Sequence, residues 1–138
     1  MTQLHSTYTY QAPFGLLKML VIIDYYDQPL TFIVKDCKGI EYYGFLYNEI
    51  RQNNKFYGEE FLFVPISTQR KEDLLQGRIS MRDTVLKPED GWMIKVCYYH
   101  EDLKKQDDYQ FITVRDIEKD YLPEADIFVE SIYKKYNE

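Results

Sequence analysis

Three tyrosine pairs, Tyr25-Tyr26, Tyr42-Tyr43 and Tyr98-Tyr99, are the residues whose type and spacing best suit recognition chemistry. Tyrosine joins a large apolar ring to a polar tip, and so serves both half-buried sheet positions and binding surfaces. Neighbours on a strand point to opposite faces, so each pair sends one ring to the core and one away from it. Outward rings at Tyr26, Tyr43 and Tyr99 would build an aromatic platform for a protein, a peptide or a stacked base. The opposing reading makes them core, with the second face covered by a C-terminal helix and an N-terminal arm.

A second group is cationic. Between residues 70 and 87, Arg70, Lys71, Arg78, Arg82 and Lys87 exceed Glu72, Asp73 and Asp83 by two charges. Arginine forks two hydrogen bonds to a carboxylate or phosphate, so Arg70, Arg78 and Arg82 are candidates for meeting an acidic partner. In the structural alternative, Arg82 and Asp83 hold a helical corner against the sheet, and the other charges are solvated.

Catalytic patterns are missing from the sequence. There is no G-x-S-x-G, the six glycines are scattered as turn punctuation, and Cys37 and Cys97 have no activating local signature. His5 and His100 are the two histidines, and His100-Glu101-Asp102 matches no zinc or calcium spacing, so neither a metal nor a cofactor is expected. Asp24 and Asp27 flank a tyrosine pair but suit a turn. The remaining enzymatic or nucleic-acid-binding alternative is a site assembled from distant residues, for example Asp27, Arg82 and Asp83.

The elements that must position these groups follow from composition and pattern. With 138 residues, 45% hydrophobic and 29% charged, the chain suits one globular α+β domain over 1–138 with a single core, residues 1–12 being an arm or an edge strand. The net charge is −6, of which −5 falls in residues 101–138, which disfavours nucleic acid as a partner. Two distant cysteines make no disulfide framework. Met1 to Gln11 carries no leader pattern, and the longest apolar run, Met19 to Ile23, is far too short to span a bilayer, so a cytoplasmic location without membrane contact is expected.

Along the chain, Leu16–Tyr26 with Val21-Ile22-Ile23 predicts a strand, Asp27-Gln28-Pro29 a turn, and alternating Leu30–Lys35 a second strand. Ile40–Tyr47 is its hairpin partner, Glu49–Gly58 a polar loop, and Phe61–Ile66 a strand closed by Pro65. Ser67 or Thr68 caps a helix that Gly77 ends; Ser80 to Asp83 starts a shorter one that Pro88 stops. Trp92–Tyr99 and Phe111–Val114 read as a late hairpin around the charged segment His100–Asp108. From Pro123, the stripe Ala125, Phe128, Val129, Ile132, Tyr133 and Tyr136 predicts a C-terminal amphipathic helix.

Taken together, Tyr25-Tyr26-Asp27-x-Pro29, Phe63-Val64-Pro65-Ile66-Ser67, Gly77-x-Ile79-x-x-Arg82-Asp83 and Pro88-Glu89-x-Gly91 resemble an uncharacterised bacterial domain family over about residues 14–97. Gln28 stands where that family usually has Gly, and Met81 where it has Leu. The resemblance implies a small bacterial cytoplasmic domain and transfers no catalytic residues.

The expected fold is a mostly antiparallel, curved sheet of five to seven strands carrying a short two-helix corner and the C-terminal helix. The expected function is non-enzymatic protein interaction in a bacterial or phage-related system, such as defence, toxin neutralisation or an accessory subunit. Homodimerisation through a sheet edge is a variant of it.

Overall fold

Short links join antiparallel neighbours, and the chain uses them throughout. The structure, a computed structural model, describes residues 8–11, 14–25, 29–99 and 107–129. Seven strands lie side by side in chain order: β1 (Tyr8–Gln11), β2 (Gly15–Tyr25), β3 (Pro29–Lys35), β4 (Glu41–Gln52), β5 (Lys55–Ile66), β6 (Met93–Tyr99) and β7 (Asp108–Ile112). Every neighbouring pair is antiparallel, and β1 and β7 are the edges of an open sheet. Register shifts interrupt the β2–β3 and β4–β5 ladders. Such bulges locally disrupt the ladder of this open, antiparallel α+β sheet.

The segment Glu49–Gly58 is a hairpin rather than a loop. Gln52 pairs with Lys55 around Asn53 and Asn54, whose φ values of 53° and 66° are those of a tight I′-type turn. Asparagine tolerates that left-handed backbone, and the polar residues beside it extend β4 and β5 beyond the apolar pattern. Pro65 is placed where its missing N–H costs nothing: it pairs with Tyr42 of β4, while β5 pairs with β6 only as far as Phe63.

Two helices bridge β5 and β6: α1 (Thr68–Leu75) and α2 (Met81–Leu86). The Ser67 hydroxyl accepts from the Arg70 N–H at 3.0 Å, and the Ser80 hydroxyl from the Asp83 N–H at 3.0 Å, each satisfying a donor left free at a helix start. Gly77, at φ 75°, follows α1 in the left-handed conformation. The Glu89 carboxylate closes the corner by accepting from both the N–H and the hydroxyl of Ser67.

The two faces of the sheet carry separate cores. On one, Ile33, Tyr43, Phe45, Leu62, Val64 and Met93 pack beneath Leu74 of α1, Met81 and Val85 of α2, and Ile117, Leu122 and Val129 of the C-terminal segment. On the other, Phe14, Phe32, Tyr42, Phe61, Phe63 and Tyr98 form an aromatic core without any described helix over it. Its rings pack on one another, with Phe14 to Tyr42 at 5.0 Å, Phe14 to Phe63 at 4.8 Å and Phe61 to Tyr98 at 5.7 Å between centroids. Thus both members of Tyr42-Tyr43 are interior, one in each core.

The helix expected to start at Pro123 does not start there. Residues 125 and 126 form a turn, the first helical residue is Val129, and the rest of the expected stripe (Ile132, Tyr133, Tyr136) lies outside the described residues. The backbone of this segment is used to tie it to α2. The Ile127 carbonyl accepts from the Met81 N–H at 3.2 Å, and the Arg82 guanidinium donates to the Lys119 and Pro123 carbonyls, each at 3.2 Å. The late hairpin is present, but its second strand is Asp108–Ile112, and a 3-10 turn begins at Val114.

Candidate functional site

Among the described residues, those chosen from sequence lie in separate parts of the fold. Tyr43 is fully buried in the helix-covered core, where burial raises its phenol pKa, so it is not available as a surface residue. Tyr26, together with Asp27, lies outside the described residues. Tyr99 is half-buried at the far end of the helix-covered face, next to the Lys95–Glu60 ion pair at 3.5 Å; its phenol is pushed up to about 12, first by a hydrogen bond with the Cys97 side chain and then by burial.

The three arginines serve the fold. Arg70 donates to the Lys87 carbonyl at 2.9 Å and lies 3.9 Å from Glu89, locking the corner. Arg78 pairs with Asp73 at 2.9 Å, and its guanidinium holds that exposed carboxyl below its ordinary range. Arg82 is the staple to the C-terminal segment already described, and Asp83 sits at the start of α2, 3.7 Å from Lys87. His5, His100, Glu101 and Asp102 lie outside the described residues, and among the described residues no cluster of three His, Cys, Asp or Glu side chains could hold a metal. No described helix is long and apolar enough to cross a membrane.

A different surface is built by β6, β7 and the β3–β4 turn. On β7, Tyr109 and Phe111 stand two residues apart and so share a face, opposite Val96 and Ile94 of the aromatic core. They nevertheless reach solvent, Phe111 being 61% exposed and Tyr109 42%. Trp92, just before β6, packs on Phe111 at 5.4 Å between centroids, and Tyr109 lies 6.3 Å from it. The three rings form a continuous aromatic strip along an edge strand whose outer backbone groups pair with no described strand. Aromatic side chains beside a free edge are a template for an added strand.

Next to the strip, a groove of about 430 Å³ opens at the end of the aromatic core. Phe14, Tyr42, Trp92, Ile94 and Phe111 supply apolar walls, and the turn residues Asp36, Cys37, Lys38 and Ile40 close one side. Asp36 is held in place by three donors. Its Oδ1 accepts from the Lys38 and Ile40 N–H groups at 2.9 Å each, and its Oδ2 from the Tyr42 hydroxyl at 3.1 Å. Burial, followed by this carboxylate, raises the Tyr42 phenol pKa, keeping the hydroxyl a donor. The exposed Cys37 thiol donates to the Phe14 carbonyl at 3.3 Å.

Sequence reasoning missed this surface because it counted tyrosine pairs inside strands. The usable signal was Tyr109-x-Phe111 in a late, short strand flanked by acidic residues, together with the lone tryptophan beginning its partner.

The fold and this surface define a class: an open antiparallel meander with a helical corner on one face and an aromatic edge on the other. The chain belongs to a family of unknown function (DUF6575), which matches residues 7–135. That agrees with the resemblance to an uncharacterised family read from the sequence. No curated protein and no solved structure matches the chain.

Proposed function

We propose that this protein is a non-enzymatic interaction module that receives an extended, basic segment of a partner protein along the β7 edge. The observation that carries this reading is the outer side of β7, which pairs with no described strand, with Tyr109 and Phe111 on β7 and Trp92 beside them on one solvent-reaching strip. An added strand would find backbone groups for affinity and alternate aromatic rings for specificity. Aromatic residues are the side chains most often found carrying binding energy at the centre of interfaces.

Charge selects the partner. Asp107 and Asp108 are exposed and directly precede Tyr109 and Phe111 on β7, whereas the acidic residues of 116–126 belong to the segment that packs on the helix-covered face. A cationic segment is attracted to that surface and a nucleic-acid backbone is repelled. The bacterial or phage-related setting and cytoplasmic location expected from sequence belong to this proposal as its context.

The test is a display selection of extended peptides against the wild-type protein and a Tyr109→Ser/Phe111→Ser variant. Because both side chains are exposed, the variant keeps the fold, which circular dichroism verifies. Selection of Lys- or Arg-bearing peptides that the variant does not retain supports the reading. Selection of acidic peptides, or equal retention by the variant, overturns it. A concentration-dependent dimer that survives in the variant points to another edge.

A further inference from the structure

The groove beside the strip combines four aromatic rings with one fixed carboxylate, and that combination has a specific chemistry. A cation over the face of an aromatic ring is attracted by the ring quadrupole, most strongly by tryptophan, and the attraction grows as the site is shielded from water. Phe14, Tyr42, Trp92 and Phe111 line one groove, in two ring pairs: Phe14 with Tyr42 at 5.0 Å and Trp92 with Phe111 at 5.4 Å. Asp36 faces the same space, and its three hydrogen bonds come from neutral donors, which orient its charge without cancelling it.

We infer that this groove is the socket for an organic cation, a guanidinium or alkylated ammonium group, and that in the complex it takes the anchoring Arg or Lys side chain of the segment lying on β7. The inference deepens the interaction reading and rests on it for the identity of the group's carrier. Phe111 joins the two features, because it belongs both to the edge strip and to the groove wall. A strand passing β7 therefore meets the groove at its Phe111 wall, and from there the groove runs on to Asp36 in the β3–β4 turn. A neutral apolar anchor would fill the rings equally well and leave Asp36 without a counter-charge. Lys38 lines the same groove and opposes a cation there, but it is exposed and water screens it.

Trp92 is the single tryptophan of the chain, so its fluorescence reports on this groove alone. The experiment titrates the full chain with choline and, in parallel, with 3,3-dimethylbutan-1-ol, which has the same shape but no charge. The expected result is a saturable change in Trp92 emission with choline, and binding of the neutral isostere weaker by about ten-fold. Phe111→Ser should weaken choline binding, Asp36→Asn should remove the preference for choline over the isostere, and Lys38→Ala should strengthen choline binding. Equal binding of the two probes, or no saturable change with choline, overturns the inference. If Asp36→Asn unfolds, the isostere comparison and Phe111→Ser, an exposed position, decide the matter. Choline binding without peptide addition at β7 would leave the socket standing and refute the partner reading. Peptide addition with no preference for a cationic anchor would do the reverse.

Discussion

Gly44→Ala is the sharpest test of the packing in the aromatic core. Gly44 lies directly across from Phe32 in the β3–β4 ladder, and the Phe32 ring lies over it. A Cβ added at Gly44 would sit 2.3 Å from Phe32 Cε1 and 2.9 Å from Cζ. Carbon atoms pack at about 3.5–4.0 Å, so the ring would have to retreat by more than ~1 Å. It has nowhere to go: Phe32 is fully buried, with the Phe61 and Phe63 rings at 5.8 and 5.9 Å. Overpacking of this kind costs about 1–3 kcal/mol. Replacing glycine also stiffens the unfolded chain, which returns about 0.4–1 kcal/mol, so a net loss of about 1–2 kcal/mol is expected.

Phe32→Leu removes Cε1 and Cζ, the two closest atoms, at the cost of a partly collapsed cavity. The double variant should therefore be more stable than the two single losses predict, by about 1 kcal/mol or more. Urea unfolding followed by circular dichroism measures all four proteins. In a chain of this size 1 kcal/mol moves Tm by about 3–5 °C, so thermal scans give an independent reading. A Gly44→Ala loss below about 0.5 kcal/mol, or strictly additive losses, would refute the close approach of ring and glycine.

Three further outcomes follow from the same structure. The Tyr43 hydroxyl is buried with no hydrogen-bond partner among the described residues, so Tyr43→Phe should be neutral or stabilising in urea unfolding, whereas Tyr43→Ala should cost about 3–5 kcal/mol. Arg82→Met removes both charged hydrogen bonds that hold the segment after β7 to α2, and should cost about 1–3 kcal/mol while raising amide exchange across residues 119–127 ahead of the sheet. The phenols of Tyr42, Tyr43, Tyr98 and Tyr99 are all raised above 10.0 in the folded protein, burial being the first cause for the first three and the Cys97 hydrogen bond for Tyr99. Their contribution to stability is thus complete below pH 10 and is lost as pH rises through the folded values, with Tyr99 titrating near 12. Absorbance at the phenolate band should show a late group of tyrosines that ionise together with alkaline unfolding; simple titration of all tyrosines near pH 10 would contradict their burial.

Much of the fold was readable because its signals are local. Ser67, Gly77, Ser80 and Pro88 act within a few residues of themselves, and each marks the helix boundary it was expected to mark. Alternation along residues 30–35 placed Phe32 and Ile33 on opposite faces, and they belong to the two separate cores. The β4–β5 hairpin was missed because its solvent-exposed end has polar residues, which carry no period-two pattern; only the Asn53-Asn54 pair recorded the turn.

The sequence by itself determined a single family, an antiparallel α+β sheet and a two-helix corner, since composition, turn residues and caps act at short range. Tertiary structure decided which aromatics are interior. Tyr43 and Phe111 are both aromatic residues in strands, yet one lies under α1 and α2 while the other stands on a free edge. Exposure depends on which strand ends the sheet and what packs over each face, and those are contacts between residues far apart in the chain. Arg82 shows the same division: its charge was legible, but the Lys119 and Pro123 carbonyls that receive it lie nearly forty residues away, and only folding brings them within hydrogen-bond reach.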